Sequence, residues 1–109
     1  IEKVLVITDD VSLPLNKMKL RPSGSDGGHN GLRSVEAVLA SREYPRLRFG
    51  IGNDYPKGLQ ADFVLSKWKK EEEPLVKLKI EKAVDVIESF ATRGLSLTMN
   101  DVNSTEYSV

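Results

Sequence analysis

Cysteine is absent from the 109 residues. Without it there is no disulfide framework and no thiolate to hold a metal, which fits a reducing compartment, and the cytoplasm is the expected location. Histidine occurs once, at His29. A histidine-based zinc site would have only carboxylates left as partners, so no metal centre is expected. No apolar run exceeds four residues, the length of Val4–Ile7, against the ~20 that span a bilayer. No membrane partner is therefore expected, and the charged pair Glu2–Lys3 does not fit a secretory leader. Net charge is missing as well: 16 basic residues cancel 16 acidic ones, which removes the bulk electrostatic argument for a nucleic-acid partner. Repeats and low-complexity tracts are also lacking, and at this length a single domain is expected over residues 1–109.

What is present is unevenly placed. Between Leu15 and Val35 four basic residues (Lys17, Lys19, Arg21 and Arg33) accompany one acid, Asp26, and Arg46 and Arg48 follow. The opening stretch KVLVITDD, residues 3–10, reads as a strand buried on both faces, because Val4–Ile7 are continuously apolar. Such strands are usually parallel members of an α/β sheet, and ligands gather beyond their carboxyl ends, where Asp9 and Asp10 fall. A turn (SLPLN) and a short alternating strand (KMKLR) come next. Leu32, Val35, Val38 and Leu39 then recur at helical spacing. RLRFGIG alternates Leu47, Phe49 and Ile51 with Arg46, Arg48 and Gly50, the pattern of a half-exposed strand. Residues 53–62 read as a loop before the short apolar FVLSK. A long helix is expected from about Glu71 to Arg93, with a buried stripe of Val76, Ile80, Ala83, Val84, Ile87 and Ala91 and a stop at Gly94. Its acidic start suits the helix dipole, and Pro74 fits only in the first turn. The polar tail 104–109 is expected to fray. The fold class is α/β, a mixed sheet with flanking helices.

The stretch GSDGGHNGLRS, residues 24–34, stands apart. It lacks the Lys-Ser/Thr of a P-loop, and GIGNDY at 50–55 lacks the third glycine of a dinucleotide fingerprint. The glycines allow a tight turn and Asn30 is the expected helix cap, but neither explains an imidazole beside them. A loop entering a helix N-terminus also aims free N–H groups at an anion. Asp9, His29 and Asn30, with nearby cations, suggest a polar cleft at the strand ends.

These blocks together resemble the bacterial-type peptidyl-tRNA hydrolases. The resemblance rests on the strand ending in Asp9 before LPL, on GGHNGLRS and on RLRFGIG, and it covers residues 2–103. It implies a mixed, twisted central sheet flanked by helices, here only part of the full single-domain fold, and a monomer. It implies an enzyme that cleaves the ester between peptide and tRNA without metal or other cofactor, with peptidyl-tRNA as partner. Asp9 would orient and polarise the catalytic histidine, His29 and Asn30 would place the substrate's 3′ end and the water, and Lys17, Lys19 and Arg48, with Arg33 beside them, would meet tRNA phosphates. Asp9, His29 and Asn30 should share one rim of the sheet. The family's chains are nearly twice this length, and the half carrying their catalytic histidine has no counterpart here. The chain opens on Ile1, not Met, so it is expected to be a C-terminal portion, inactive alone, with His29 not the base and not in hydrogen-bonding order with Asp9. The competing reading is an RNA-binding protein of the same fold that does not hydrolyse.

Overall fold

Arg46–Gly50 occupies the middle of the sheet, and its neighbours explain most of the architecture. A computed structural model describes residues 3–109. The elements run β1 (Val6–Asp10), β2 (Met18–Arg21), α1 (Asn30–Leu39), β3 (Arg46–Gly50), α2 (Gln60–Val64), α3 (Glu73–Arg93) and α4 (Leu95–Asn103). The three-stranded sheet has the order β1-β3-β2. β1 runs parallel to β3, with Asp9 opposite Phe49 and Asp10 opposite Gly50. β2 is antiparallel, with Met18, Lys19, Leu20 and Arg21 opposite Phe49, Arg48, Leu47 and Arg46. The alternation read in β2 is observed: Met18 and Leu20 point into the core and Lys19 and Arg21 do not.

Met18, Leu20 and Leu47 pack with Ala83 and Val86 of α3, Val102 of α4 and Tyr107. Full burial of each Leu, Met or Val side chain contributes ~1.5–3 kcal/mol. α4 lies along β2, and its last residue finishes that edge as another strand would. Leu20 N–H donates to Asn103 Oδ1 (2.7 Å), and Asn103 Nδ2 donates back to Leu20 O (3.0 Å).

Several expectations change. β1 is not buried on both faces: Val4 is 40% and Ile7 47% exposed. Among the described residues β1 is an edge strand paired only with β3, which leaves Ile7 about half exposed. β3, by contrast, is buried at Arg46, Leu47 and Gly50 rather than half-exposed, because it is central. FVLSK lies at the end of a short helix, α2, and LSLTMNDVN forms α4. On α1 only Leu32 is buried, and Val38 stands in solvent. The tail does not simply fray: Tyr107 is buried, and its N–H donates to Asn16 O at 2.9 Å.

α3 begins with Pro74 in its first turn and ends at Gly94, as expected. Its buried stripe, however, is Val76, Lys79, Ala83 and Val86, while Ile80, Val84 and Ile87 are exposed and Ala91 is exposed too. Apolar residues occupy two neighbouring stripes of this helix, so periodicity alone cannot choose between them. Packing against Val102 and Tyr107 selects the one containing Lys79.

Lys79 has no exposed surface. Its ammonium donates to Leu15 O and Gly50 O, each at 2.6 Å, and lies 3.9 Å from the centre of the Phe49 ring. Burial lowers its pKa from 10.5 to about 8. Below pH 8 both folded and unfolded chains hold this proton; above it the folded chain releases the proton that the unfolded chain keeps until about pH 10.5. The cost of burying the charge therefore fades as pH rises through that window. In urea denaturation, the unaltered chain is expected to gain about 2 kcal/mol relative to Lys79→Met between pH 7.5 and 9.5. A pH-independent difference would contradict this.

Candidate active site

The loop before α1 is organised by Asp26. Its Oδ1 accepts from Gly28 N–H (2.8 Å), and its main-chain O accepts from His29 N–H (2.9 Å). This turn needs Gly28 at φ +84°, where a side chain would be strained. The cap that follows is not Asn30, as composition suggested, but His29. Its backbone is extended, and its Nδ1 accepts from Leu32 N–H at 3.1 Å. Asn30 becomes the first helical residue. The imidazole can fold back this way because the next residue but one is glycine: a Cβ on Gly31 would lie 2.7 Å from His29 Cε1.

The other ring nitrogen reaches the end of β1. His29 Nε2 lies 2.8 Å from Asp9 Oδ1 and 2.9 Å from Thr8 Oγ1. The expectation that His29 would be out of hydrogen-bonding order with Asp9 is therefore overturned; the cap swings the ring toward the strand end. The tautomer follows from the neighbours. Nδ1 must be bare to accept from Leu32, and the Thr8 hydroxyl donates to Asp9 O (3.1 Å), so only acceptors face Nε2. Nε2 carries the proton and donates it to Asp9. Both ring nitrogens are committed, and no imidazole lone pair is free. As the chain has one histidine, its ring ¹⁵N spectrum is unambiguous. The neutral ring is expected to show protonated Nε2 and unprotonated Nδ1, and the opposite tautomer would refute the arrangement.

Asp9, His29 and Asn30 all line one cavity of about 790 Å³, enclosed by the end of β1, Arg46 and Arg48 of β3, residues 23–32 and α2. The three residues expected on one rim are thus brought together. The expected basic set is dispersed. Arg48 lines the cavity but donates to Asp10, whose other oxygen accepts from Ser12 N–H (2.7 Å). Lys17 pairs with Glu106 at 3.4 Å, and Arg33 lies 3.9 Å from Asp26. Lys17, Lys19 and Arg33 are not among the cavity's lining residues. Lys19 sits opposite Arg48 on the sheet and has no ion-pair partner among the described residues.

Sequence reading missed Thr8, Arg21 and Arg46. Arg21 and Arg46 line the cavity and are opposite one another across β2 and β3. Arg46 is 3% exposed and donates to Ser25 O (3.2 Å) and Arg42 O (2.9 Å), with its guanidinium carbon 4.0 Å from the Tyr44 ring centre. It ties the glycine loop to the central strand. Strand alternation places positions 19, 21, 46 and 48 on one face, a signal available once the register is known.

The family model for peptidyl-tRNA hydrolase matches residues 1–108. The chain belongs to the peptidyl-tRNA hydrolase family. It is 44% identical to the peptidyl-tRNA hydrolase of Parabacteroides distasonis, covering 95% of this chain and 56% of that protein. It is 46% identical to that of Porphyromonas gingivalis, covering 94% and 55%. The crystal structure of peptidyl-tRNA hydrolase from Acinetobacter baumannii superposes with a TM-score of 0.83 at 27% identity, over 94% of this chain and 52% of that one. The mixed α/β architecture is that of the peptidyl-tRNA hydrolases, and the chain spans about half the length of the family members it matches.

Proposed function

We propose that the cavity receives the acylated 3′ end of peptidyl-tRNA and that the ester joining peptide to tRNA is the bond this site serves to cleave. The observation that carries the reading is the 2.8 Å contact between Asp9 and His29 in the cavity beside Asn30, in a chain of this family. Ester hydrolysis needs an acid–base group, an orienting carboxylate and donors toward the developing oxyanion. Asp9 is the carboxylate. Asn30 supplies an amide, and the first turn of α1 has N–H groups without helical acceptors, of which the His29 side chain takes only that of Leu32. His29 holds these parts in register instead of abstracting a proton. The reaction calls on no metal or organic cofactor, and the protein is taken as a cytoplasmic monomer.

The committed imidazole also favours a specific reading for these 109 residues taken alone: RNA bound without turnover. Phosphates would lie over the face that carries Lys19 and Arg48, a like-charged cross-strand pair whose repulsion an anion relieves, with Arg21 beside it; Arg46 shares that face but is buried. Lys19 is the freest of the three expected contacts, since Arg48 shares Asp10 and Lys17 shares Glu106. Binding of peptidyl-tRNA measured across salt concentrations tests this. Lys19→Ala is expected to weaken binding and to reduce the slope of log K against log salt by about 0.7–0.9, with a smaller change for Lys17→Ala. An unchanged slope removes Lys19 from the interface, and absence of any tRNA binding overturns the reading.

A further inference from the structure

α3 places a lysine where its stripe otherwise buries valine and alanine. An ammonium in a core costs several kcal/mol unless its protons are satisfied, and an apolar residue of similar volume would pack there at less cost. Lys79 is satisfied by groups from two separate segments. Leu15 lies in the β1–β2 turn, five residues beyond Asp10, and Gly50 ends β3. The ring against the ammonium, Phe49, is the residue opposite Asp9, and Gly50 is opposite Asp10. Among the described residues the ammonium has no ion-pair partner, and burial is what lowers its pKa.

The same two segments meet through three further hydrogen bonds: Gly50 N–H to Lys17 O (3.0 Å), Ile51 N–H to Asp10 O (3.0 Å) and Gly52 N–H to Leu13 O (2.9 Å). These bonds seat the turn on the end of β3, beside the end of β1 that carries Asp9. We propose that Lys79 is a positioning residue for the site, its ammonium clamping the Leu15 and Gly50 carbonyls and the Phe49 ring so that Asp9 is held at hydrogen-bonding distance from His29. It acts from the far side of the strand end and touches neither substrate nor cavity. The inference rests on Asp9 and His29 being the site's groups, but its test reads their geometry and does not depend on turnover.

The comparison is between the unaltered 109-residue chain and Lys79→Met, which is unbranched and one heavy atom shorter and removes the donors. Amide exchange is followed at Gly50, Ile51 and Gly52, with the α1 amides beyond Leu32 as internal reference, together with the His29 ring ¹⁵N signals. In the folded variant, exchange at those three amides is expected to accelerate roughly tenfold or more beyond any change in α1, and the protonated Nε2 signal to broaden or move. A purely structural lysine would shift all amides together and leave the ring unchanged, which would overturn the proposal. If Lys79→Met does not fold, the unaltered chain answers by titration. Loss of the Lys79 proton near pH 8 leaves an amine with two N–H groups but removes the charge held over the Phe49 ring, and the His29 carbon-bound ring protons should show an inflection there. Flat ring signals between pH 7.5 and 9.5 would overturn the proposal equally.

Discussion

Gly50→Ala is expected to destabilise the chain by roughly 3–5 kcal/mol, a large share of the ~5–15 kcal/mol that holds a domain of this size together. A Cβ at this position would lie 2.7 Å from Lys17 O and 2.9 Å from Leu13 Cβ, and closer still to Pro14 O. Two of these are main-chain oxygens, so no rotamer change can make room. The turn would have to lift from β3, breaking Gly50 N–H to Lys17 O and Gly52 N–H to Leu13 O and pulling Leu15 O from the Lys79 ammonium. Gly52→Ala serves as the control. Gly52 has φ +81° and open space where an alanine methyl would sit, so only backbone strain of about 1 kcal/mol is at stake. Urea denaturation of both variants checks the contrast; equal, small losses would show that the turn is not seated as described.

How much of this was legible in the sequence depends on which forces act locally. β2 and the body of α3 could be read because alternation and helical spacing are properties of single segments. The grouping of Asp9 with the GGHNG loop was legible from the strand-end rule and the family resemblance. The cap was not. Asn30 is the better cap by residue preference, but Gly31 leaves space for the His29 ring, and that ring finds Asp9 and Thr8 at its other nitrogen. Long-range packing hid the rest. Tyr107 reads as part of a polar tail until Asn16 and the core receive it. Lys79 reads as an exposed helical lysine until two carbonyls 64 and 29 residues away claim it. Arg21 gains meaning only from the register that puts it opposite Arg46.

The second large effect concerns catalysis. A positioned general base is worth ~10²–10⁴ in rate. In these 109 residues the imidazole is donor to Asp9 through Nε2 and acceptor from Leu32 through Nδ1, so it cannot take a proton from water without giving up the α1 cap. Asp9 is itself engaged as the acceptor of the His29 Nε2–H. In the proposed reading Asp9 is the carboxylate and His29 and Asn30 are positioning groups, which leaves no free imidazole nitrogen among the described residues to accept the proton. Release of labelled peptide from peptidyl-tRNA is the measurement that tests this most directly, run on the unaltered chain beside the Porphyromonas gingivalis enzyme, with binding followed in parallel. The chain is expected to bind peptidyl-tRNA but to release peptide at least about 10²-fold more slowly than that enzyme. Turnover within tenfold of it would contradict this assignment and make His29 the base.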